Sequence, residues 1–220
     1  LTGTKVVAKK PVVVFGAHAA AYTPDPPNYG YADHLEEQML PLEAWGTSAA
    51  LARHAVRHNC TSQPADPVIW RIIAGADDMT VTFDPAAPSP AGTSYSFSQQ
   101  GEILEFMSTQ DHFVSAEYDV PEDPANPEAP FLAYQTMTGS AYPNCTDLEG
   151  DPMILQAPPA GQFLDRYVFN TDDMFDYAYD HIIVVRPAGA SITLECIGEL
   201  TGFTAIGSGE WEVLRFYIDN

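Results

Sequence analysis

The sequence predicts an all-β protein: tandem β-sandwich-like units with long Pro/Gly-rich loops and at most one short helix. Three observations carry this. Nineteen prolines and fifteen glycines punctuate the chain too often for a helical period to run on. The runs between them are short and rich in β-branched and aromatic residues, which fit a pleated, half-buried surface. Several of these runs also recur in the same order further along the chain.

Taken in order, strands are expected near Thr4–Ala8 and Val12–Gly16, apolar runs on either side of a Lys9-Lys10 turn. The only credible helix is short, around Asp33–Met39, where Asp33 would cap and Glu36 would sit at the third helical position. Strands follow near Thr47–Val56, Pro67–Gly75, Thr80–Asp84, Ser94–Ser98, Glu102–Ser108 and Phe113–Tyr118. In the second half they are expected near Phe131–Met137, Tyr167–Asn170, His181–Pro187, Ser191–Cys196, Phe203–Ile206 and Glu210–Ile218.

The repeat has three parts. Val7-Ala8 followed by Pro11–Phe15 resembles Ser115-Ala116 followed by Pro130–Tyr134, with an acidic, Pro-rich insertion at Glu117–Ala129. Ile72-Ile73 and Thr80–Phe83 match Ile183-Val184 and Ser191–Leu194 at a constant offset of 111. Gly101-Glu102 leading to Phe106 is echoed by Gly209-Glu210 leading to Phe216. We therefore expect two copies of one β-unit, residues 1–116 and 117–220, interlocked with each other.

Lys and Arg total 9 against 30 Asp and Glu, a formal charge of −21, and no cation lies between Arg71 and Arg166. Nucleic acid and anionic membrane surfaces both require a basic footprint, so neither is an expected partner. A hydrophobic fraction of 45% places this charge on a folded body, as a solvated surface with affinity for cations. No stretch approaches the ~18 apolar residues of a membrane span, so direct membrane insertion is not expected. The run from Lys9 to Ala21 imitates a signal peptide, but Gly16 and His18 interrupt it. The chain starts at Leu1 and is read as a piece of something longer.

Candidate site residues fall into four groups. His18, Asp33, His34 and Glu37 combine imidazole with carboxylate, a ligand set for a divalent transition metal. The expectation here is a structural polar cluster that ties down the Ala19–Ala32 loop. Asp172, Asp173, Asp176 and Asp180 supply hard oxygen donors at short spacing, as Ca2+ requires, without the glycine and terminal glutamate of an EF-hand. Cys60 and Cys145 would close one disulfide, leaving Cys196, and Asn59 and Asn144 head N-C-T glycosylation sequons. His54, His58 and Cys60 alternate on one face of an extended segment, without a fourth zinc ligand nearby. No G-x-S-x-G elbow or phosphate-binding loop is present, and Gly207-Ser208-Gly209 reads as a turn. Paired carboxylates for glycoside hydrolysis would be a spatial arrangement, invisible to spacing.

The block from Ala32 to Thr47, A-D-H-L-E-E-Q-M-L-P-L-E-A-W-G-T, resembles the IgGFc-binding protein N-terminal domain family. The likeness extends through Val12–His18, Val68–Asp84, Gly101–Ala116 and Tyr167–Leu194. It implies a β-rich extracellular module for binding or adhesion, without catalytic residues to carry over. Ala20 and Ala32 stand where that family often places cysteines, which implies one disulfide lost as a pair.

The function expected is therefore an extracellular, non-enzymatic binding, adhesion or surface-assembly module. Its partners would be a protein or glycan at a cell surface or in extracellular matrix, or copies of itself. The alternatives are a calcium-assisted glycan-binding module, with Ca2+ as the candidate cofactor, and a glycoside hydrolase.

Overall fold

The computed structural model describes residues 2–24, 32–57, 66–119, 129–140, 142, 150, 152–170, 180–195 and 197–218. The chain is all-β, as expected. Strands β1 (Phe15–Ala21) and β2 (Asp33–Gln38) form a two-stranded antiparallel ribbon, followed by a 3-10 turn at Leu42–Ala44. Eight strands then follow: β3 (Ser48–Leu51), β4 (Val68–Ala74), β5 (Met79–Ala87), β6 (Gly92–Phe97), β7 (Ile103–Ser108), β8 (His112–Tyr118), β9 (Phe131–Met137) and β10 (Ile154–Ala157). They make two four-stranded sheets, β10-β9-β4-β7 and β3-β8-β5-β6.

The two sheets enclose one core. β4 reads Val-Ile-Trp-Arg-Ile-Ile-Ala, nearly continuous in apolar residues, because both its faces are covered and both its edges are paired. Trp70 and Ile72 from β4 meet Leu104 and Phe106 of β7 and, from the facing sheet, Val81, Phe83 and Phe97. Phe83 and Phe106 pack edge to face, ring centres 5.4 Å apart. The outer face of β4 and β9, with Ile73, Leu132 and Tyr134, is covered by Leu40 and Trp45.

A third layer lies on the back of the second sheet. After a 3-10 turn at Ala160–Gln162 come β11 (Asp180–Pro187), β12 (Thr193–Leu194), β13 (Gly198–Glu199), β14 (Thr204–Ile206) and β15 (Trp211–Ile218). The sheet β11-β15-β14 sets Ile183, Ile206 and Val213 against Ala50 and Phe113. Trp211 stacks on Phe113 at 5.4 Å. The turn between β14 and β15 is docked too: Gly207 has φ +54°, an added Cβ would lie 2.4 Å from Asp84, and the Ser208 amide donates to the Asp84 carboxylate at 2.7 Å. Ser208 is thus a turn residue.

The elements differ from the sequence reading in several places: β1 begins only at Phe15, at the end of the expected Val12–Gly16, and β10 and β13 were not expected. Asp33–Met39 is not a helix: residues 33–38 are strand β2, exposed and half-buried in strict alternation, because β1 supplies an edge that a solitary helix would lack. Thr4–Ala8 and Tyr167–Asn170 form no strand, and both are solvent-exposed.

Residue 117 lies inside β8, and β9 pairs along β4, so one sheet is built from both sides of the expected 116/117 division. The registers themselves repeat. Adding 111 to both partners turns Ile72↔Leu104 and Ile73↔Ile103 of β4–β7 into Ile183↔Arg215 and Val184↔Leu214 of β11–β15. The β1–β2 ribbon recurs as β9–β10, with Phe15↔Gln38 matching Tyr134↔Gln156, and the two 3-10 turns, each preceded by a proline, lie 118 apart.

Ile72→Ala empties part of the wholly enclosed core, so it should lower stability by about 2–5 kcal/mol. Val185→Ala, on the half-buried β11, should cost markedly less. Urea denaturation of both variants checks the order.

Candidate functional site

The four residues of the expected polar cluster lie on the β1–β2 ribbon, where three of them make separate contacts. On a strand, His34 and Glu36 share a face, and His34 Nε2 lies 3.3 Å from Glu36 Oε2 with both side chains more than half exposed. Glu37 points elsewhere, its Oε1 accepting from Gln156 Nε2 at 2.9 Å, and His18 Nδ1 accepts from the Ala20 amide at 3.2 Å. Asp33 sits opposite Ala21 at the far end of the ribbon. An exposed pair such as His34–Glu36 is worth ~0–1 kcal/mol. Asp172, Asp173, Asp176, Cys60, Cys145, Cys196, Asn59, Asn144 and His58 lie outside the described residues, and Asp180 opens β11 opposite Ile218. Among the described residues, no three His, Cys, Asp or Glu side chains converge as a metal site.

The polar centre that does form was not read from the sequence. Arg57 and Asp66, 9 residues apart, meet in a buried two-pronged pair: Nε and Nη2 each donate to one carboxylate oxygen at 2.7 Å. Arg57 also donates to the Thr138 carbonyl at 2.9 Å, the Thr138 hydroxyl at 2.7 Å and the Tyr142 carbonyl at 3.4 Å. Asp66 is fully buried and also accepts from Arg53 through its backbone carbonyl at 3.1 Å. Beside them, Gln135 accepts from the His54 amide at 3.0 Å and donates to the Ala52 carbonyl at 3.1 Å. A third strut joins the C-terminal sheet: Arg215 Nε donates to the Arg53 carbonyl at 2.8 Å and its Nη2 to Asp111. Residues 53–57 are thereby fastened to β9, to the segment after it, and to β15.

One arrangement imitates catalytic machinery. Ser108 Oγ lies 2.8 Å from His112 Nε2, and His112 Nδ1 lies 2.9 Å from the Pro85 carbonyl. His112 is fully buried, edge-on to Phe83 and Phe106, so no substrate reaches it. The pair joins β7 to β8 across the core.

Burial holds the His54 and His112 imidazoles below their ordinary pKa, with hydrogen bonds to backbone carbonyls opposing this only in part. Both are neutral when folded and would take up a proton on unfolding below about pH 6.5. Stability therefore falls as pH drops through that value, until the folded-state pKa is passed.

The surface is the complement of this interior. Arg53, Arg57, Arg71, Arg186 and Arg215 are all engaged with carboxylates. Among the described residues, exposed apolar side chains concentrate at residues 6–15 and at Leu164–Phe169. The chain belongs to the IgGFc-binding family: a family model described as "IgGFc binding protein" matches residues 1–219. Neither the curated proteins nor the solved structures gave a match. The family is one of binding domains and is typically extracellular; among the described residues, no helix is long and apolar enough to cross a membrane.

Removing one partner of the buried pair strands the other. Arg57→Gln should destabilise by about 3–5 kcal/mol, and Arg57→Gln/Asp66→Asn by less than the sum of the single changes; a double-mutant cycle in urea checks both. For the histidines, the melting temperature should be lower at pH 5.5 than at pH 7.5, and His112→Asn should flatten part of that slope.

Proposed function

We propose that this chain is a non-enzymatic extracellular adhesion and assembly module that holds protein partners through its acidic exterior and open strand edges. The observation that supports it best is the allocation of charge. Five of the nine cations are committed to carboxylates of the same chain, which carries a formal charge of −21. Such a surface attracts basic patches on a partner and steers their encounter. Family membership supports the same reading, since binding is what the family's description states.

Calcium-assisted glycan binding through Asp172–Asp180 is the competing reading; a mass shift on EDTA treatment in native mass spectrometry would favour it. The arrangement around Arg57 also supports a Cys60–Cys145 bridge. Arg57 stands three residues before Cys60 and bonds to Tyr142, three residues before Cys145.

The test is capture of surface and matrix proteins by the immobilised chain, eluted stepwise with salt. Screening shortens from ~10 Å at 0.1 M to ~3 Å at 1 M, so partners held by the acidic exterior should be basic proteins released across that range. Release of no partner across that range, or turnover of a glycan, would overturn the reading; a partner joined by strand pairing alone stays bound at 1 M salt.

A further inference from the structure

The structure uses the start of its second repeat to complete the first. β8, whose Ser115-Ala116 matches Val7-Ala8, pairs with β3, and β9, whose Phe131–Tyr134 matches Val12–Phe15, pairs with β4. The second repeat has acceptors of the same kind. β11 corresponds to β4 by register, and residues 166–169 follow their 3-10 turn at the same spacing as β3 follows its own. Among the described residues, no strand pairs with the outer edge of β11 or with residues 166–169. The donors of the first repeat have open edges too: among the described residues β1 pairs only with β2, and residues 4–8 pair with no strand, held by Lys5 Nζ donating to Gln100 Oε1 at 3.2 Å.

Exposure marks the same two places. Leu132 and Ala133 are 2% and 1% exposed in β9, whereas the matching Val13 and Val14 precede β1, and Val13 is 60% exposed. On the acceptor side Val168 is completely exposed. Of the 14 exposed large hydrophobic residues among the described ones, nine lie at residues 6–15 or 164–169, which is a concentration that scattered surface residues do not produce. Charge agrees as well. Residues 1–24 contain Lys5, Lys9 and Lys10 and no acid, which leaves a formal −24 on residues 25–220.

The geometry points to head-to-tail assembly by strand addition: the N-terminal segment of a second copy of this chain completes the second repeat, as β8 and β9 complete the first. Carrying the β4–β9 pairing over places Val13 of the incoming copy opposite Val184, and Val14 opposite Ile183, antiparallel. The β3–β8 pairing likewise sets Val6 beside Tyr167. β1 keeps β2 on its other edge, so the joined sheet runs β2-β1-β11-β15-β14 across the two copies. Because donor and acceptor are different surfaces, each junction leaves one of each free, and the assembly extends. The inference rests on the reading of the chain as an assembly module and names one partner for it.

The register makes it testable. A chain carrying Val13→Cys is mixed with one carrying Val184→Cys under oxidising conditions, with unsubstituted chains as the background for the native cysteines. The expected result is a mixed cross-linked dimer, several-fold more abundant than from Val14→Cys with Val184→Cys, whose side chains leave opposite faces. Val13→Asp should abolish concentration-dependent sedimentation of the full chain while leaving its melting temperature unchanged, since Val13 is exposed. No register preference, or a cross-link that closes within one doubly substituted chain, would overturn the inference. Salt-sensitive partner capture is measured on the same Val13→Asp chain, so that either reading can fail alone.

Discussion

Strand β4 requires a hydrogen-bonding neighbour on each edge and an apolar layer on each face, and the rest of the chain is arranged to supply them. Its backbone groups are buried, so an unpaired edge would leave donors and acceptors without water or partner. β7 fills one edge from about thirty-five residues away; β9 fills the other from about sixty. The facing sheet covers Trp70 and Ile72, while Leu40 and Trp45 cover the side of Ile73. β9 is therefore not an appendage of the later half of the chain. Without it β4 would be a half-exposed strand, which is the condition of β11, residue for residue its counterpart at an offset of 111.

The second constraint is the scarcity of cations. With nine Lys and Arg against thirty acids, a buried carboxylate would be costly unless a cation is assigned to it. Asp66 receives Arg57, and Asp111 receives both Arg53 and Arg215. These pairs contribute less to net stability than their Coulomb attraction implies, because desolvation offsets most of it. Their effect is on position. Arg57 reads two backbone carbonyls and a hydroxyl beyond its carboxylate, and Arg215 reads the carbonyl of Arg53, so that alternative registers would leave charges unpaired. Every arginine used in this way is unavailable to the remaining acids, while the net charge of −21 itself is set by composition.

Strands buried on both faces were legible because their composition is nearly continuous in β-branched and aromatic residues. Phe131–Met137 coincides with its expected bounds, and Pro67–Gly75 and Glu210–Ile218 differ by a residue at the ends. β2 was not legible, since Asp-His-Leu-Glu-Glu-Gln is built from good helix formers, and only the partner edge of β1 decides for a strand. As a strand, β2 sets His34 on one face with Glu36 and turns Glu37 to the other, toward Gln156. The Arg57–Asp66 centre carried no local signal. Its members are nine residues apart on one side and more than seventy from Thr138, so chain reversal creates the site. The sequence offered three short internal matches; the common register of β4–β7 and β11–β15 at an offset of 111 was visible only in the ladders.

Charge also limits which assemblies of this chain can form. An isologous contact would bring one patch of a strongly acidic body against its own copy, and like-charged surfaces repel at close range. A heterologous contact escapes this, because the acid-free first 24 residues meet a body that carries the whole negative excess. An apolar, open edge next to a segment with three lysines would ordinarily be an aggregation hazard. Here the hazard is directional: the lysines keep donors apart from one another, and the acids keep acceptors apart, leaving donor to acceptor as the favoured pairing. Self-repulsion between bodies then works against lateral clumping while the junction itself is held by backbone hydrogen bonds, which salt scarcely screens. Strand pairing therefore sets the order of such an array, and charge sets its direction.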